Sequence, residues 1–437
     1  MHIRKVGNAH GRGYALGCET YKEATTVRAT NLLEVILGLK KTKVVSVTIE
    51  DLGIVADVKP TASVPYCSGC GHAAREVHDK RGRRWRHLDM AGMTLWLRYE
   101  LRRVKCERCG TIVEMVPWAE KDSWFTRDFE DQVAFFAQKA DQTTVSRAMG
   151  VAWRTVGSIL QRVTARLLPA DLLDKLQRIG IDELSVRKNH EYITVIIDHD
   201  TKRVVWARPG KDAATLAEFF KELGPERCEK LEAVTLDMSG AFVKAVTDAG
   251  LQPKMIFDRF HVERLAHDAV DEVRRAEVRE NEDPEEAKVL KRTRYILLKN
   301  PWNLTPIESQ KLALLQQVNK PIYRAYLLKE TLCEILDNRD LDLARVKLTE
   351  WIGWAKRSRL DPFKKLAGTL QAHFEGILAY IPLRLNNGRT EGMNRKIRTL
   401  TSRAYGFHSP HSLIALIHLC CSGLDLQPVV KLALGSK

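Results

Sequence analysis

The chain has 437 residues, 44% hydrophobic and 29% charged, a composition that excludes a disordered polymer and allows two or three domains with a sizeable core. Seventy Lys and Arg against 55 Asp and Glu leave a net charge of +15, which suits a polyanionic partner. No apolar run reaches membrane-spanning length and the start from Met1 to Gly11 has no apolar segment, so a soluble, non-secreted, cytoplasmic protein is expected.

In chain order, residues 32–58 alternate short β-branched runs with charge, which predicts a helix followed by strands. Four of the nine cysteines then form two Cys-x-x-Cys pairs, Cys67 with Cys70 and Cys106 with Cys109, separated by 35 residues that leave room for a strand or two. Each pair sets two thiolates on a tight turn, and together they would close a tetrahedral site for one structural Zn²⁺ with no position left for water. Reduced cysteines without metal, iron–sulfur or redox use, and His72, His78 and His87 as rival ligands, are the other readings. Between Cys67 and Cys109 lie 11 Lys or Arg against 5 Asp or Glu. Arg83, Arg84 and Arg86 in KRGRRWR are therefore candidate phosphate contacts on a basic hairpin, the bland alternative being a solvated hairpin tip.

From Thr126 to Leu167 the period becomes helical, with Phe129, Val133 and Phe136 on one face. Gln142 to Leu160 reads as two short helices around Gly150, with Val145, Ala148, Met149, Val151, Val156 and Ile159 as their shared core. Arg154, Thr155 and Ser158 lie elsewhere on the second helix, where a helix-turn-helix would present them to base edges in the major groove. A purely packing role for the two helices is the alternative.

After Gln177 the pattern predicts three strands, a helix, a strand, a helix and a strand, the order of a ribonuclease H-like α/β core. That order places Asp182 within the first strand and Asp237 at the end of the fourth, on adjacent strands although 55 residues apart. Phosphodiester chemistry on such a site uses two Mg²⁺ ions held by hard oxygen ligands, with Mn²⁺ able to substitute. A third carboxylate is expected from a helix facing the sheet. Between Arg384 and Phe407, Glu391 is the sole acidic residue among six basic ones, with Asn386 and Asn387 as helix-capping candidates; Arg389, Arg395 and Lys396 are candidate DNA contacts. Simple charge balance on a surface helix is the competing explanation for Glu391. Asp258, Arg259 and His261 in DRFHV are accessory candidates, with stabilisation of a strand-to-helix corner as the alternative. The 153 residues between Asp237 and Glu391 predict a helical insertion domain over 262–380, with Trp302, Trp351 and Trp354 in its core, a stacking role being the alternative.

The segments IGIDELSVRKNHEYITVIIDHDTKRVVW, VTLDMSGAFVKAV, MIFDRFHVERLAHDAVDEVRR and NNGRTEGMNRKIRTLTSRAYGF resemble successive signature blocks of the ISL3 family of bacterial insertion-sequence transposases. The four-cysteine module and the helix pair also resemble that family, so the likeness spans nearly the whole chain. It implies an Asp-Asp-Glu triad, matched by Asp182 in GIDE, Asp237 in LDMS and Glu391 in TEGMN. The same likeness selects Asp182 over the adjacent Glu183, whose side chain a regular strand turns to the opposite face. It implies a DNA transposase that binds the terminal inverted repeats of its element, cleaves the ends and joins a 3′-hydroxyl to target DNA. The partners would be double-stranded DNA and further copies of the chain, as a homodimer or higher oligomer on paired ends, with no membrane and with a nucleoid-associated location. A ribonuclease H-like nuclease or resolvase without strand transfer, and a transposase-derived DNA-binding regulator, are the competing functions. The expected domains are a zinc module over 1–120, a helix-turn-helix region over 121–175, and an α/β core over 176–261 and 381–437 interrupted by the insertion.

Overall fold

The structure is a computed structural model and describes residues 29–187, 191–251, 254–385, 388–404, 407 and 409–429, without the side chains of 29, 32, 186, 187 and 388–391. The chain divides into two compact units, 1–129 and 130–437. No described helix is long and apolar enough to cross a membrane.

The first unit begins with the expected helix and strands: α1 (Ala29–Leu37), β1 (Thr42–Glu50) and β2 (Gly53–Pro60). Two long strands follow, β3 (Val77–Met90) and β4 (Met93–Cys106), then a short β5 (Gly110–Val113). They form one sheet in the order β1-β2-β4-β3, with β5 on β4. The β3–β4 turn is Ala91–Gly92, both at positive φ, which matches the right-handed twist of a two-residue hairpin. Alternation along the strands buries Trp85, Leu95, Leu97 and Leu101 with Ala56, Val58 and Trp118. The tip reading of KRGRRWR is thereby corrected: the segment lies inside β3, paired with Trp96 to Arg102 of β4, because the hairpin turns only at Ala91.

Helix α2 (Arg127–Ala137) carries the chain into the second unit, where α3 (Gln142–Met149) and α4 (Trp153–Leu167) follow. Strands β6 (Arg178–Arg187), β7 (Glu191–Asp198), β8 (Arg203–Pro209), β9 (Ala233–Leu236) and β10 (Met255–Phe257) form a sheet in the order β10-β9-β6-β7-β8. β7 is antiparallel to β6 and β8, whereas β9 runs parallel to both β6 and β10. Six consecutive buried residues end β7, Ile193 to Asp198, so both faces of the sheet are covered. The crossovers hold α5 (Ala213–Leu223) and α7 (Gly240–Asp248), and the structure adds α6 (Pro225–Lys230), which the periodicity had not predicted.

Beyond β10 the chain is helical among the described residues: α8 (Arg259–Glu280), α9 (Pro284–Lys291), α10 (Arg294–Leu298), α11 (Pro306–Val318), α12 (Lys320–Asp337), α13 (Leu341–Arg357), α14 (Asp361–Ala372), α15 (Phe374–Leu378) and α16 (Tyr380–Leu383). One continuous apolar core runs from the sheet through these helices as far as Ile381. At its junction α15 lies on β10 so closely that a Cβ on Gly376 would stand 2.6 Å from the Phe257 ring. Trp351 sits in that core and donates its indole N–H to the Leu328 carbonyl at 2.8 Å, and Trp354 packs on its edge. Trp302 does not belong there. It is 72% exposed on a single 3₁₀ turn, Pro301–Asn303, too short to carry an apolar face inward. Two final helices, α17 (Gly388–Arg403) and α18 (Pro410–Cys421), return to the sheet, α17 against β6 and α18 against β8.

Candidate functional site

In the first unit Cys67, Cys70, Cys106 and Cys109 converge, with all four Sγ atoms within 4.8 Å of one another. Each pair turns back through a glycine at positive φ, Gly71 and Gly110, and β4 delivers Cys106 at its last residue. The amide N–H groups of Cys70 and Gly69 pull the Cys67 thiol down to about 6. The neighbouring Cys70 and Cys67 push Cys109 up to about 12. Four thiols so close cannot all ionise without a cation between them, which is the donor set and spacing of a tetrahedral Zn²⁺ site. The rival histidines do not join the thiol group: His87 is buried against Thr126 at 2.8 Å, the His72 ring stands 3.0 Å from the Cys70 carbonyl oxygen, and His78 is exposed.

The arginines of β3 are largely engaged. Arg83 donates to the Ser123 carbonyl at 2.8 Å and stacks its guanidinium 4.6 Å from the Trp124 ring. Arg86 pairs with Asp89 at 2.6 Å and packs over Trp96 and Phe129, while Arg84 pairs with Glu50 at 3.2 Å. Lys80 and Arg81 are the exposed cations of this strand, with no ion pair among the described residues. Counting charge in KRGRRWR did not distinguish them, because the distinction depends on acids supplied by other segments.

The helix pair is capped as its sequence requires. Asp141 accepts from the amides of Thr143 and Thr144 at 3.0 and 2.9 Å, and Gly150 takes the left-handed conformation that ends α3. Val145, Val156 and Ile159 are buried as expected, but Ala148 is exposed and Met149 and Val151 are half-buried, because α4 turns its apolar face toward α18. Arg154 and Ser158 are exposed on α4 and Thr155 is half-buried. Gln161 donates to the Ser412 hydroxyl of α18 at 3.1 Å, and the Thr164 hydroxyl donates to the Ala415 carbonyl at 3.1 Å.

The carboxylates meet at the end of the sheet. Parallel pairing runs Arg178 to Ala233, Ile179 to Val234 and Gly180 to Thr235, and the same register two residues further sets Asp182 level with Asp237. Asp237 accepts from the Ser239 amide at 3.0 Å, which turns the chain into α7. Burial pushes the Asp182 carboxyl up, opposed by hydrogen bonds from the Asn394 side-chain amide and, at 2.7 Å, from the Glu183 amide. The nearby His261 ring also opposes the rise, and the Asp237 carboxyl adds to it. Neither aspartate has a Lys or Arg ion pair among the described residues. A half-buried carboxylate with no Lys or Arg partner among the described residues, beside a second carboxylate, suits a divalent cation.

Glu183 is half-buried, and burial and then Asp237 push its carboxyl up. It faces Thr194 across the strand pair yet still feels the charge of the site. Asp258 is buried and caps α8 by accepting from the Phe260 amide at 3.2 Å, with His261 Nε2 at 4.0 Å. Arg259 turns away to Glu263, at 2.5 Å, and to Asp337. Lys396 donates to the Cys420 carbonyl at 2.6 Å, closing the end of α18, and Arg395 is exposed. Glu391 and Arg389 fall on α17, one turn and more before Asn394, and their side chains lie outside the described residues, as do Asn386 and Asn387 entirely. Sequence reasoning missed Asn394: a neutral amide gives no charge signal, and its partner is 212 residues away.

Residues 179–417 match a family model described as transposase. Residues 63–109 match the zinc-finger of transposase IS204/IS1001/IS1096/IS1165, and residues 114–164 match the helix-turn-helix domain of transposase family ISL3. The chain is 37% identical over 429 residues to the transposase for insertion sequence element IS1557 of Mycobacterium tuberculosis, covering 91% of this chain and 96% of that one. It is 29% identical over 354 residues to the transposase for insertion sequence element IS1001 of Bordetella parapertussis, covering 80% and 87%.

Proposed function

Because the chain belongs to the ISL3 family of insertion-sequence transposases, we propose that this DNA transposase cuts and joins DNA ends at Asp182, Asp237 and Glu391. The observation that carries the reading is the register of β6 with β9, which levels Asp182 with Asp237 at the sheet end where Asn394 of α17 also arrives. The strand order β8-β7-β6-β9-β10, with only β7 reversed, supports reading the sheet as a ribonuclease H-like core and the helices between β10 and α17 as its insertion. The hard oxygens of the three carboxylates would hold two Mg²⁺ ions, which when bound polarise the scissile phosphate and stabilise the leaving oxygen. The protein's own part is to fix those oxygens on a rigid sheet and helix and to keep Asp182 oriented through the Asn394 and Glu183 amides.

Recognition falls to the other modules. The four thiols would hold one Zn²⁺, which would tie β4 and the turns at Cys67 and Cys109 together. Exposed Arg154 and Ser158 on α4 read base edges of the terminal inverted repeats, while Lys80, Arg81 and Arg395 contact phosphates without regard to sequence. Paired DNA ends call for at least two copies of the chain, and the setting is the cytoplasm at the nucleoid. Labelled duplexes from the ends of the element, incubated with the protein and Mg²⁺, test this: nicks at the ends and joined products are expected. Nicks without joining would favour a nuclease or resolvase, and tight binding without nicks a regulator.

A further inference from the structure

We propose that Asn394 is the positioning residue of the cation site: its amide N–H holds Asp182, and its carbonyl oxygen is turned to the cation or to a water that the cation binds. The inference rests on the proposed carboxylate site and adds to it a neutral residue.

Asn394 is 6% exposed on α17, one helical turn past Glu391. Its Nδ2 donates to Asp182 Oδ2. Turning the amide over would set two oxygens against each other, so the nitrogen belongs on the carboxylate. That leaves Oδ1, which is buried and has no hydrogen-bond partner among the described residues. A buried acceptor without a donor costs free energy that native structures rarely leave standing, so the atom wants an electrophile. The other groups around Asp182 do not fill it: Asp237 offers only acceptor oxygens, the Glu183 amide is already given to Asp182 Oδ1, and the His261 ring, with Nε2 4.0 Å from Asp258, makes no hydrogen bond to Asn394 among the described residues. A hard divalent cation, or its bound water, supplies the missing partner and suits an amide oxygen. The same side chain would then orient the ligand and feel the ion, as outer-shell partners of metal ligands do.

The position also explains how α17 keeps its place. It packs on β6, where Asn394 makes the polar contact and Ile397 is buried beside Leu184. Asn394 is therefore the point where the helix bearing Glu391 is tied to the strand bearing Asp182.

The test is Mn²⁺ binding to the zinc-replete full-length chain, followed by electron paramagnetic resonance, with zinc content and melting temperature measured alongside. Asp182→Asn in the same titration identifies the site. Asn394→Ala is expected to bind Mn²⁺ roughly 10- to 100-fold more weakly while keeping its zinc and its affinity for end DNA. Asn394→Asp keeps the volume and puts a carboxylate where the amide was. It is expected to melt lower than the unaltered chain without Mn²⁺ and to recover when Mn²⁺ is added, because the ion neutralises two facing carboxylates. Unchanged Mn²⁺ affinity in Asn394→Ala, or no recovery of Asn394→Asp by Mn²⁺, overturns the proposal and leaves Asn394 as a packing residue. Mn²⁺ binding that Asp182→Asn does not alter would instead overturn the carboxylate site itself, and this inference with it.

Discussion

Gly157 on α4 and Ser412 on α18 approach so closely that a Cβ on Gly157 would stand 2.6 Å from the Ser412 hydroxyl oxygen and 3.1 Å from its Cβ. The helix that carries Arg154 is thus seated on a helix that also packs on β8 and α17. Gly157→Ala should destabilise the second unit by about 1–3 kcal/mol through overpacking. Ser412→Ala added to it should recover part of the loss, since the nearer contact is removed. Thermal melts of the two single variants and the double variant measure the coupling; strictly additive effects would mean that α4 and α18 do not share this contact.

The thiol cluster predicts one zinc per chain. Cys67→Ser and Cys106→Ser should each lower zinc content together with end binding, because the ion replaces a core for the turns it ties. Elemental analysis of protein purified without chelator decides the matter, and the absence of zinc would refute the assignment.

Asp182→Asn, Asp237→Asn and Glu391→Gln should each reduce turnover by more than about 100-fold, beyond the loss expected for an outer-shell partner, while DNA affinity holds or rises slightly. Glu183→Gln should be milder, since its side chain alternates away from Asp182, although Asp237 still reaches it. Parallel assays of end binding, nicking and joining separate these effects. Near-normal nicking by Glu391→Gln would remove it from the triad.

Cations of the same sign should behave differently according to their partners. Lys80→Ala and Arg81→Ala should each lower the salt dependence of DNA binding by about one ion, uniformly across sequences. Arg154→Ala should cost about 1–3 kcal/mol of discrimination between end and unrelated DNA. Arg83→Ala should chiefly lower the melting temperature of the first unit, because its guanidinium bonds the Ser123 carbonyl and stacks on Trp124. Titrations at several salt concentrations distinguish the three outcomes.

Acid should weaken the second unit through His418. This imidazole is buried and bonded to Ser422 at 2.8 Å, and burial, with the Arg208 charge, holds it down to about 4. In the unfolded chain it takes a proton near pH 6.5, so the unfolded state binds more protons between those values. Stability is complete above about pH 6.5 and falls as pH drops toward 4, by roughly 3 kcal/mol at the lower end. Melting of His418→Gln between pH 7.5 and 5 should show a shallower fall than the unaltered chain, and identical slopes would contradict a neutral buried imidazole.

What the sequence by itself determined were the features written in neighbouring residues. The Cys-x-x-Cys turns, the glycine between α3 and α4, the strands from β6 to β10 with α5 and α7 between them, Asp182 within its strand and Asp237 at a strand end all follow from local spacing and period. Tertiary structure decided what depends on distant partners. Arg83 and Arg86 look like Arg81 in the sequence, but Ser123, Trp124 and Asp89 engage the first two and leave Arg81 exposed. Trp302 and Trp351 share a residue type and a helical setting, yet only Trp351 finds a core. The placing of Asn394 on Asp182 has no local signal, because a hydrogen bond across 212 residues is chosen by how the sheet and α17 pack. Local periodicity selects the elements, whereas the burial of each polar group can be satisfied only once the whole chain has brought its partner to it.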